Sequence, residues 1–309
     1  MGPIDKADTV VRPYYFVAGS PKWVNITYTN GSSVLSSTGN PSAFPNLTLY
    51  DSQVVGVALN ATVSSGSLVI PVAGARSARV YGNGIIDSLM DLTTITTDST
   101  YKCKFFHVRI SVNNVSLIAA AMRLFQYGRQ GSDQSVNKKG GWVARINKNT
   151  NPFPTGSVSV DAHTEDLASP LKTDFGTGQS DPNWPDPLYT TAVLSDATWA
   201  AGVSIGFGVD YSVSPWRVIC YINGALEGSD AQTAAALPYY PPPGIDNGGT
   251  PANSGIAGGF TLFAQSKDDA SAILKDATVS PIWFGEARDA AHLSTIFTAL
   301  HANPAANPY

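Results

Sequence analysis

Short runs in which apolar and polar residues alternate recur along the whole chain. In residues 104–110, Phe106, Val108 and Ile110 fall on one side of an extended chain, and His107 and Arg109 fall on the other. This period of two residues is typical of a β-strand with one buried face. The same reasoning predicts strands at residues 10–17, 23–28, 53–59, 67–72, 101–112, 142–147, 199–211 and 216–223. A strand at residues 116–125 is predicted from the neighbouring strands, although the run from Ala119 to Met122 favours a helix.

Clusters of Gly, Pro, Asn and Ser separate these runs and supply the backbone angles that turns require. Residues 147–188 and 235–259 contain few apolar runs and many turn-forming residues, which predicts long loops. Loops of this length usually carry function. The pattern as a whole predicts an all-β fold, an antiparallel β-sandwich.

Only the last part of the sequence has a convincing helical period. The apolar residues with this spacing are Leu293, Ile296, Phe297 and Leu300. Glu286 and Asp289 suit the first turns of a helix, and Pro304 ends the pattern. We therefore expect a final strand at residues 281–285 that leads into one short C-terminal helix.

A change in character near residue 75 predicts a division of the chain. Residues 1–75 form a small N-terminal β region in this interpretation, and residues 76–309 form the larger sandwich.

Composition and charge exclude several classes of protein. A hydrophobic share of 43% argues against a disordered chain, and the charged share of 14% is well below the ~25% usual in soluble domains. The chain has a net charge of -4 and lacks the clustered basic residues that a nucleic-acid binder needs. No apolar run approaches the ~18 residues that predict a transmembrane helix, and the first residues do not resemble a secretory signal. Cys103 and Cys220 lie in apolar runs and are expected to be buried thiols.

The acidic residues offer a weak case for catalysis. A glycosidase needs two carboxylates held roughly 5 to 10 Å apart. Asp161 and Glu165 lie in the densest acidic cluster, and either of them with a distant partner such as Asp210 would provide an uncommon pair. The alternative is that this cluster is a solvated loop. We expect no catalytic residues and keep a polysaccharide-degrading glycosidase as the enzymatic alternative.

Two groups of loop residues are candidates for binding. Asp181, Asn183 and Asp186 supply the hard oxygen ligands that calcium prefers, although a Pro-rich surface turn explains the same residues. No other cofactor is expected. Aromatic rings and amides that suit a sugar are provided by Trp184, Tyr189, Tyr239, Tyr240 and Asn247. The alternative for these residues is hydrophobic anchoring of the loops.

Two stretches resemble the concanavalin A-like or laminin G-like jelly roll. Residues 208–226 are similar to the segment in which such domains run a long strand into an Asn-Gly hairpin, here Asn223-Gly224. Residues 282–300 resemble the closing strand and short helical tail of the bacteriophage copies of this fold. The sequence lacks the acidic strand motif of the enzymatic branches.

The resemblance implies a non-enzymatic bacteriophage virion protein, such as a tail fibre, receptor-binding or capsid decoration protein. Its expected partners are other virion proteins and a host cell-surface glycan, with no nucleic acid and no membrane insertion. Such proteins are usually symmetric, which favours a homotrimer located in the virion and assembled in the host cytoplasm. Residues 1–75 would then attach the protein to the particle. The alternative is a purely structural capsid or tail component that binds no ligand.

Overall fold

Two antiparallel β-sheets packed face to face, with one helix on an outer face, form the architecture of the protein. The computed structural model describes residues 19–28, 34–39, 47–51, 61–72, 78–80, 89, 100–118, 122–128, 141–148, 154–163, 188–189, 193–213, 216–231, 260–262 and 274–309. This arrangement confirms the predicted all-β sandwich with a short C-terminal helix.

The strands are numbered in chain order. Sheet A contains β1 (Trp23–Tyr28), β2 (Val34–Gly39), β4 (Thr62–Ser64), β5 (Ser67–Ile70), β7 (Cys103–Val112), β12 (Val203–Asp210), β13 (Arg217–Ile222), β14 (Ala225–Ala231), β16 (Ala277–Val279) and β17 (Ile282–Ala287). Sheet B contains β3 (Leu47–Asp51), β6 (Ala78–Val80), β8 (Met122–Gly128), β9 (Gly141–Ile146), β10 (Val158–His163), β11 (Leu188–Tyr189) and β15 (Phe260–Leu262). The helices are α1 (Asp196–Ala201) and α2 (Ala290–Ala302).

Strand β7 is the centre of sheet A. It pairs with β12 on one side and with β16 and β17 on the other. The sheet extends from β12 to β13 and β14, from β17 to β1 and β2, and from β16 to β5 and β4. Sheet B has the order β3-β6-β15-β8-β9-β10-β11. Strand β3 also pairs with β2, so one strand joins the two sheets.

The central strands of sheet A are buried on both faces. Phe106, Phe207 and Phe284 point into the core between the two sheets. Helix α2 covers the opposite face of sheet A with the four apolar residues that the helical period predicted. Because both faces are covered, every residue of β12 and β17 is buried, and neither strand has a face exposed to solvent.

Several predicted elements are confirmed. Strand β1 has the predicted bounds, and β7, β9, β13 and β17 lie within two residues of theirs. The Asn-Gly hairpin joins β13 to β14, with Asn223 and Gly224 at φ angles of 52° and 79°. These left-handed angles are the ones that a two-residue hairpin turn requires. Cys103 and Cys220 are free and buried, and burial raises the pKa of Cys220 to about 12.

Other predictions were wrong. The first residues of the strand predicted at 199–211 belong instead to α1. Ser195 caps this helix by accepting a hydrogen bond from Thr198 N at 3.2 Å. Residues 115–117 form a single 3-10 turn, and β8 starts only at residue 122. Glu286 lies in β17, not in the first turn of α2, and pairs there with buried Lys104. The supposed loop at residues 147–188 contains β10 and the start of β11.

Some predictions stay untested. The strands predicted at residues 10–17 and 53–59 and the loop at 235–259 lie outside the described residues. The division near residue 75 also stays a prediction. Within the described residues, β1 and β5 pair directly with β17 and β16, so these N-terminal strands belong to the same sheet as the C-terminal ones. In the described part of the chain, neither helix is long and apolar enough to cross a membrane.

Candidate functional site

The outer face of sheet B, which is turned away from the core, carries a chain of hydrogen bonds. Arg145 Nε donates to Ser159 Oγ at 2.8 Å, and Ser159 Oγ donates to Asn147 Oδ1 at 3.0 Å. Asn147 Nδ2 donates to Ser157 Oγ at 3.0 Å, and Ser157 Oγ donates to the carbonyl of Pro154 at 2.8 Å. The asparagine and both serines are at most 2% exposed, whereas Arg145 is half-buried. We call these five residues the Arg145 chain.

The strand period explains why these polar residues share a face. Ala144 and Ile146 of β9 and Val158 of β10 lie in the core. Successive side chains of a strand point to opposite faces, so Arg145 and Ser159 lie on the outer face. Every hydroxyl and amide in the Arg145 chain has a partner there, so burial leaves no unsatisfied polar group in it.

The pairing of the strands extends this face into rows. Arg145 lies opposite Arg123 of β8 on one side and opposite Ser159 of β10 on the other. Ser159 in turn lies opposite Tyr189 of β11. A second row, two residues along β9, contains Gln126, Val143 and Asp161. The positions in register with Arg145 and Ser159 therefore include an arginine position at one end and a tyrosine position at the other.

The structure describes the strand position of one of the predicted sugar-binding residues. Tyr189 lies in β11, in line with Ser159 and Arg145. The others, Trp184, Tyr239, Tyr240 and Asn247, lie outside the described residues.

The predicted calcium ligands Asp181, Asn183 and Asp186 also lie outside the described residues. Where the structure describes side chains, no group of three or more His, Cys, Asp or Glu residues could hold a metal ion.

The acidic residues considered for catalysis are not brought together in the described part of the chain. Asp161 lies on β10 of sheet B, Asp210 lies on β12 of sheet A, and Glu165 lies outside the described residues. The carboxylate of Asp210 accepts hydrogen bonds from Cys103 Sγ, Ser212 N and Arg217 Nε. Burial acts to raise the pKa of Asp210, but the bonds from Ser212, Arg217 and Cys103 outweigh it and hold that pKa below its usual value.

A second carboxylate, that of Glu286, is also paired with a residue of the fold. Glu286 forms a 2.8 Å ion pair with Lys104, and both side chains are buried. A buried carboxylate paired in this way holds two strands together and does not face a substrate.

Sheet A also contains a buried histidine beside a serine. His107 Nε2 and Ser204 Oγ are 2.7 Å apart, and both residues are at most 2% exposed. Burial, with a smaller contribution from His301, lowers the pKa of His107 to about 3. Since helix α2 covers this pair through Phe297, the serine is closed to a substrate.

The sequence interpretation missed the Arg145 chain. It assigned residues 157–163 to a loop, although Val158, Val160 and Ala162 alternate there with polar residues. That alternation is the signal that would have found β10. Which face of the strand is polar follows only from the position of the core.

No protein-family model matches the chain, and no curated protein matches it. Solved structures with a similar fold include domain 4 of AbnA, a GH43 extracellular arabinanase from Geobacillus stearothermophilus, in complex with arabinotriose. The identity is 9% and the TM-score 0.47, over 90% of this chain and 100% of that one.

Two further structures are similar over only part of their own length. The binding domain of botulinum neurotoxin serotype D/C is 12% identical with a TM-score of 0.47, over 89% of this chain and 51% of that one. A Trypanosoma rangeli sialidase in complex with sialic acid is 9% identical with a TM-score of 0.48, over 96% of this chain and 36% of that one. The β-sandwich described above rests on the strand pairing of this chain and not on these likenesses.

Proposed function

We propose that the protein is a non-enzymatic carbohydrate-binding β-sandwich whose outer sheet B face contacts a glycan. The observation that carries this proposal is the Arg145 chain with Tyr189 in the same row of the sheet. Of the polar side chains in the Arg145 chain only that of Arg145 is partly exposed, so a sugar hydroxyl would contact its guanidinium group, and a tyrosine ring suits the apolar face of a sugar.

The setting of these groups also favours binding. They lie on paired strands, and the hydrogen bonds of the Arg145 chain hold Arg145 and Asn147 in one arrangement. A site that is ordered before the ligand arrives loses less conformational entropy when it binds. The absence of catalysis is supported by Asp210 and Glu286, both of which are occupied by structural partners.

A broad array of bacterial surface glycans tests the proposal. The purified full chain should bind at least one glycan saturably, and Tyr189→Ala should weaken that binding about 3- to 10-fold, the effect of losing one aromatic contact. Tyr101→Ala is the matched control, because Tyr101 is half-buried beside Gly19 at the start of β7 in sheet A. A blank array at high protein concentration would instead favour a purely structural component that binds no ligand.

The loop residues extend the proposed site. Alanine at Trp184, Tyr239 and Tyr240 together should reduce binding further, and unchanged binding would remove these loops from the site.

Measuring glycan binding with a chelator present tests the calcium hypothesis. Loss of binding that added calcium restores would support ligands at Asp181, Asn183 and Asp186, and full binding in the chelator would contradict them.

The finer part of the proposal is a bacteriophage virion protein that presents this face to the host cell. It is supported by the composition, which combines few charges with a strand-rich chain. Antibodies against the protein should label washed particles from the host that produces it, and the particle-borne protein should be a homotrimer. Particles that contain none of the chain would contradict this location.

A further inference from the structure

Helix α2 covers one face of sheet A and takes no part in the core between the sheets. Its four apolar residues pack on side chains of β7, β13 and β17, among them Phe105, Tyr221 and Trp283. Among the described residues, the core between the two sheets is a separate cluster that contains no residue of α2. Movement of the helix away from sheet A would therefore leave that core closed.

Two histidines lie on the two sides of this contact. A Cβ atom on Gly206 of β12 would lie 2.8 Å from three ring carbons of Phe297, and His107 of β7 is directly opposite Gly206. The rings of His107 and Phe297 stack with 5.9 Å between their centroids. His301 follows Phe297 by one helical turn, and a Cβ atom on Gly224 would lie 3.2 Å from the Cβ atom of His301. His107 thus belongs to the sheet side of the contact, and His301 to the helix side.

The buried histidine has no place for a positive charge. His107 is 1% exposed, and its Nε2 lies 2.7 Å from Ser204 Oγ. The Nδ1 atoms of His107 and His301 are both buried without a hydrogen-bond partner. A protonated imidazole donates from both ring nitrogens, so a proton on His107 would create a buried N–H group that no acceptor satisfies.

The side chains that face His107 supply no anion in the described part of the chain. The facing residues belong to β12, β17 and α2 and are Ser204, Gly206, Trp283, Phe297 and His301. The charged residue two positions along the same face of β7 is Arg109, which is also a cation. A positive charge on His301 opposes a proton on His107.

The carboxylates of the surrounding elements are engaged elsewhere. Asp210 of β12 accepts from Cys103 and Arg217. Glu286 of β17 pairs with Lys104. Asp289 caps the opposite end of α2, where it accepts from His292 N. None of these three groups contributes to the pKa of His107.

We propose that α2 is an acid-sensitive cover. Protonation of His107 requires α2 to leave sheet A, so acid increases the fraction of molecules in which the helix is released and the sandwich remains folded. Release exposes the apolar face of sheet A around Phe105, Tyr221 and Trp283. It also gives His107 access to water, which accepts from both of its N–H groups.

The size of the effect follows from proton linkage. The pKa of His107 is about 3 under the helix, against an ordinary value of 6.5 that it would recover in water. Protons then bind the released form in preference to the closed one below pH 6.5. The equilibrium constant for release should increase about 70-fold between pH 7 and pH 4.5.

Backbone amide hydrogen exchange of the purified full chain measures this equilibrium. The exchange rate of the α2 amides, relative to the intrinsic rate at the same pH, gives the opening constant of the helix. Denaturant unfolding at the same pH gives the constant for global unfolding. Helix α2 should open more readily than the whole protein unfolds, and its opening constant should show the increase of about 70-fold from pH 7 to pH 4.5.

Two results would overturn the proposal. Equal constants for α2 opening and global unfolding at every pH would show that the helix does not leave separately. An opening constant that exceeds the global one but does not change with pH would show that release of α2 does not expose His107.

A pair of variants identifies the group that senses acid. His107→Gln removes the imidazole and should abolish most of the increase. Asp289→Asn is the matched control, because asparagine keeps a capping oxygen at the start of α2 and removes the carboxyl group. Loss of the increase in Asp289→Asn but not in His107→Gln would assign the acid sensitivity to the cap and contradict the role of His107.

A measurement on the unchanged protein keeps the test informative if His107→Gln does not fold. Nuclear magnetic resonance of the imidazole nitrogens reports the protonation of each histidine. In the closed form the His107 ring should stay neutral at pH 4.5. A protonated His107 ring in molecules whose α2 amides remain protected would overturn the proposal, since the charge would then be accommodated beneath the helix.

Discussion

His107 shows how burial changes the chemistry of one side chain. The ring lies under Phe297 and beside Ser204, and its Nδ1 has no hydrogen-bond partner. Burial therefore favours the neutral imidazole, and the nearby His301 adds to this effect. A histidine that pattern analysis placed on the polar side of a strand is in fact an uncharged part of the contact between sheet A and α2.

This residue predicts acid sensitivity. His107 has a pKa of about 3 in the folded protein against a usual value of 6.5, so below pH 6.5 the unfolded chain binds a proton that the folded protein does not. The free energy of unfolding should then fall by about 1.4 kcal/mol per pH unit between roughly pH 6.5 and 3 from this group alone. Denaturant unfolding at several pH values measures it. The slope should be shallower in His107→Gln than in His292→Gln, and equal slopes would contradict the prediction.

Helix α2 depends on a cap at a residue that the sequence analysis placed in the first turn. Asp289 is the N-cap and accepts from His292 N at 2.8 Å. Asp289→Ala should lower the free energy of unfolding by about 0.5–2 kcal/mol, while Asp289→Ser keeps a capping oxygen and should cost less. Thermal and denaturant unfolding of the two variants check this, and an equal cost for both would mean that the cap does not stabilise the helix.

The contact between α2 and sheet A requires glycine in the strand beneath it. A Cβ atom on Gly206 of β12 would lie 2.8 Å from three ring carbons of Phe297. Gly206→Ala should therefore destabilise the protein by about 1–3 kcal/mol through overpacking.

Gly208→Ala is the comparison for this prediction. Its closest side-chain neighbour is a terminal methyl of Leu293 at 2.7 Å, which can move more easily than a ring. Gly208→Ala should therefore cost less than Gly206→Ala in denaturant unfolding. Replacing Phe297 by Leu should recover part of the loss in Gly206→Ala and not in Gly208→Ala. No recovery would show that Phe297 does not cause the strain.

At the scale of the whole molecule, the segment that follows α2 packs against sheet A. Trp283 Nε1 donates to the carbonyl of Pro304 at 2.8 Å, and the Tyr309 hydroxyl donates to the carbonyl of Glu286 at 2.9 Å. The Tyr309 ring stacks on Trp23, with 6.0 Å between ring centroids. Residues from β1, β17 and the last segment thus form one aromatic contact, which ties distant parts of the chain to sheet A.

Tyr309 should therefore contribute to global stability mainly through its ring. Tyr309→Phe removes one hydrogen bond and should cost about 0.5–1.5 kcal/mol, whereas Tyr309→Ala also removes the packing and should cost about 2–4 kcal/mol. Denaturant unfolding followed by tryptophan fluorescence, to which Trp23 and Trp283 contribute among the six tryptophans of the chain, measures both variants. If the two variants were equally stable, the ring contact would not hold this segment.

The amino-acid sequence by itself determined the local features of this protein. Period-two alternation located β1, β7 and β9, and the Asn223-Gly224 pair located a hairpin because few other residues tolerate two left-handed angles. The apolar spacing from Leu293 to Leu300 located α2. Tyr189 was selected as a candidate from its residue type alone. These features follow from interactions between residues that are close in the chain.

Tertiary structure decided the rest, because it depends on which surfaces meet. The cover provided by α2 made His107 a neutral residue, whereas Glu286 and Lys104 became a buried pair on the opposite face of sheet A, the face that carries Phe284 and Phe106. The core between the sheets determined which face of β9 and β10 is polar. Only the pairing of β8, β9, β10 and β11 brought Arg123, Arg145, Ser159 and Tyr189 into one row. Arg123 and Tyr189, 66 positions apart in sequence, lie at the two ends of this row because of hydrogen bonds between strands, which no local pattern encodes.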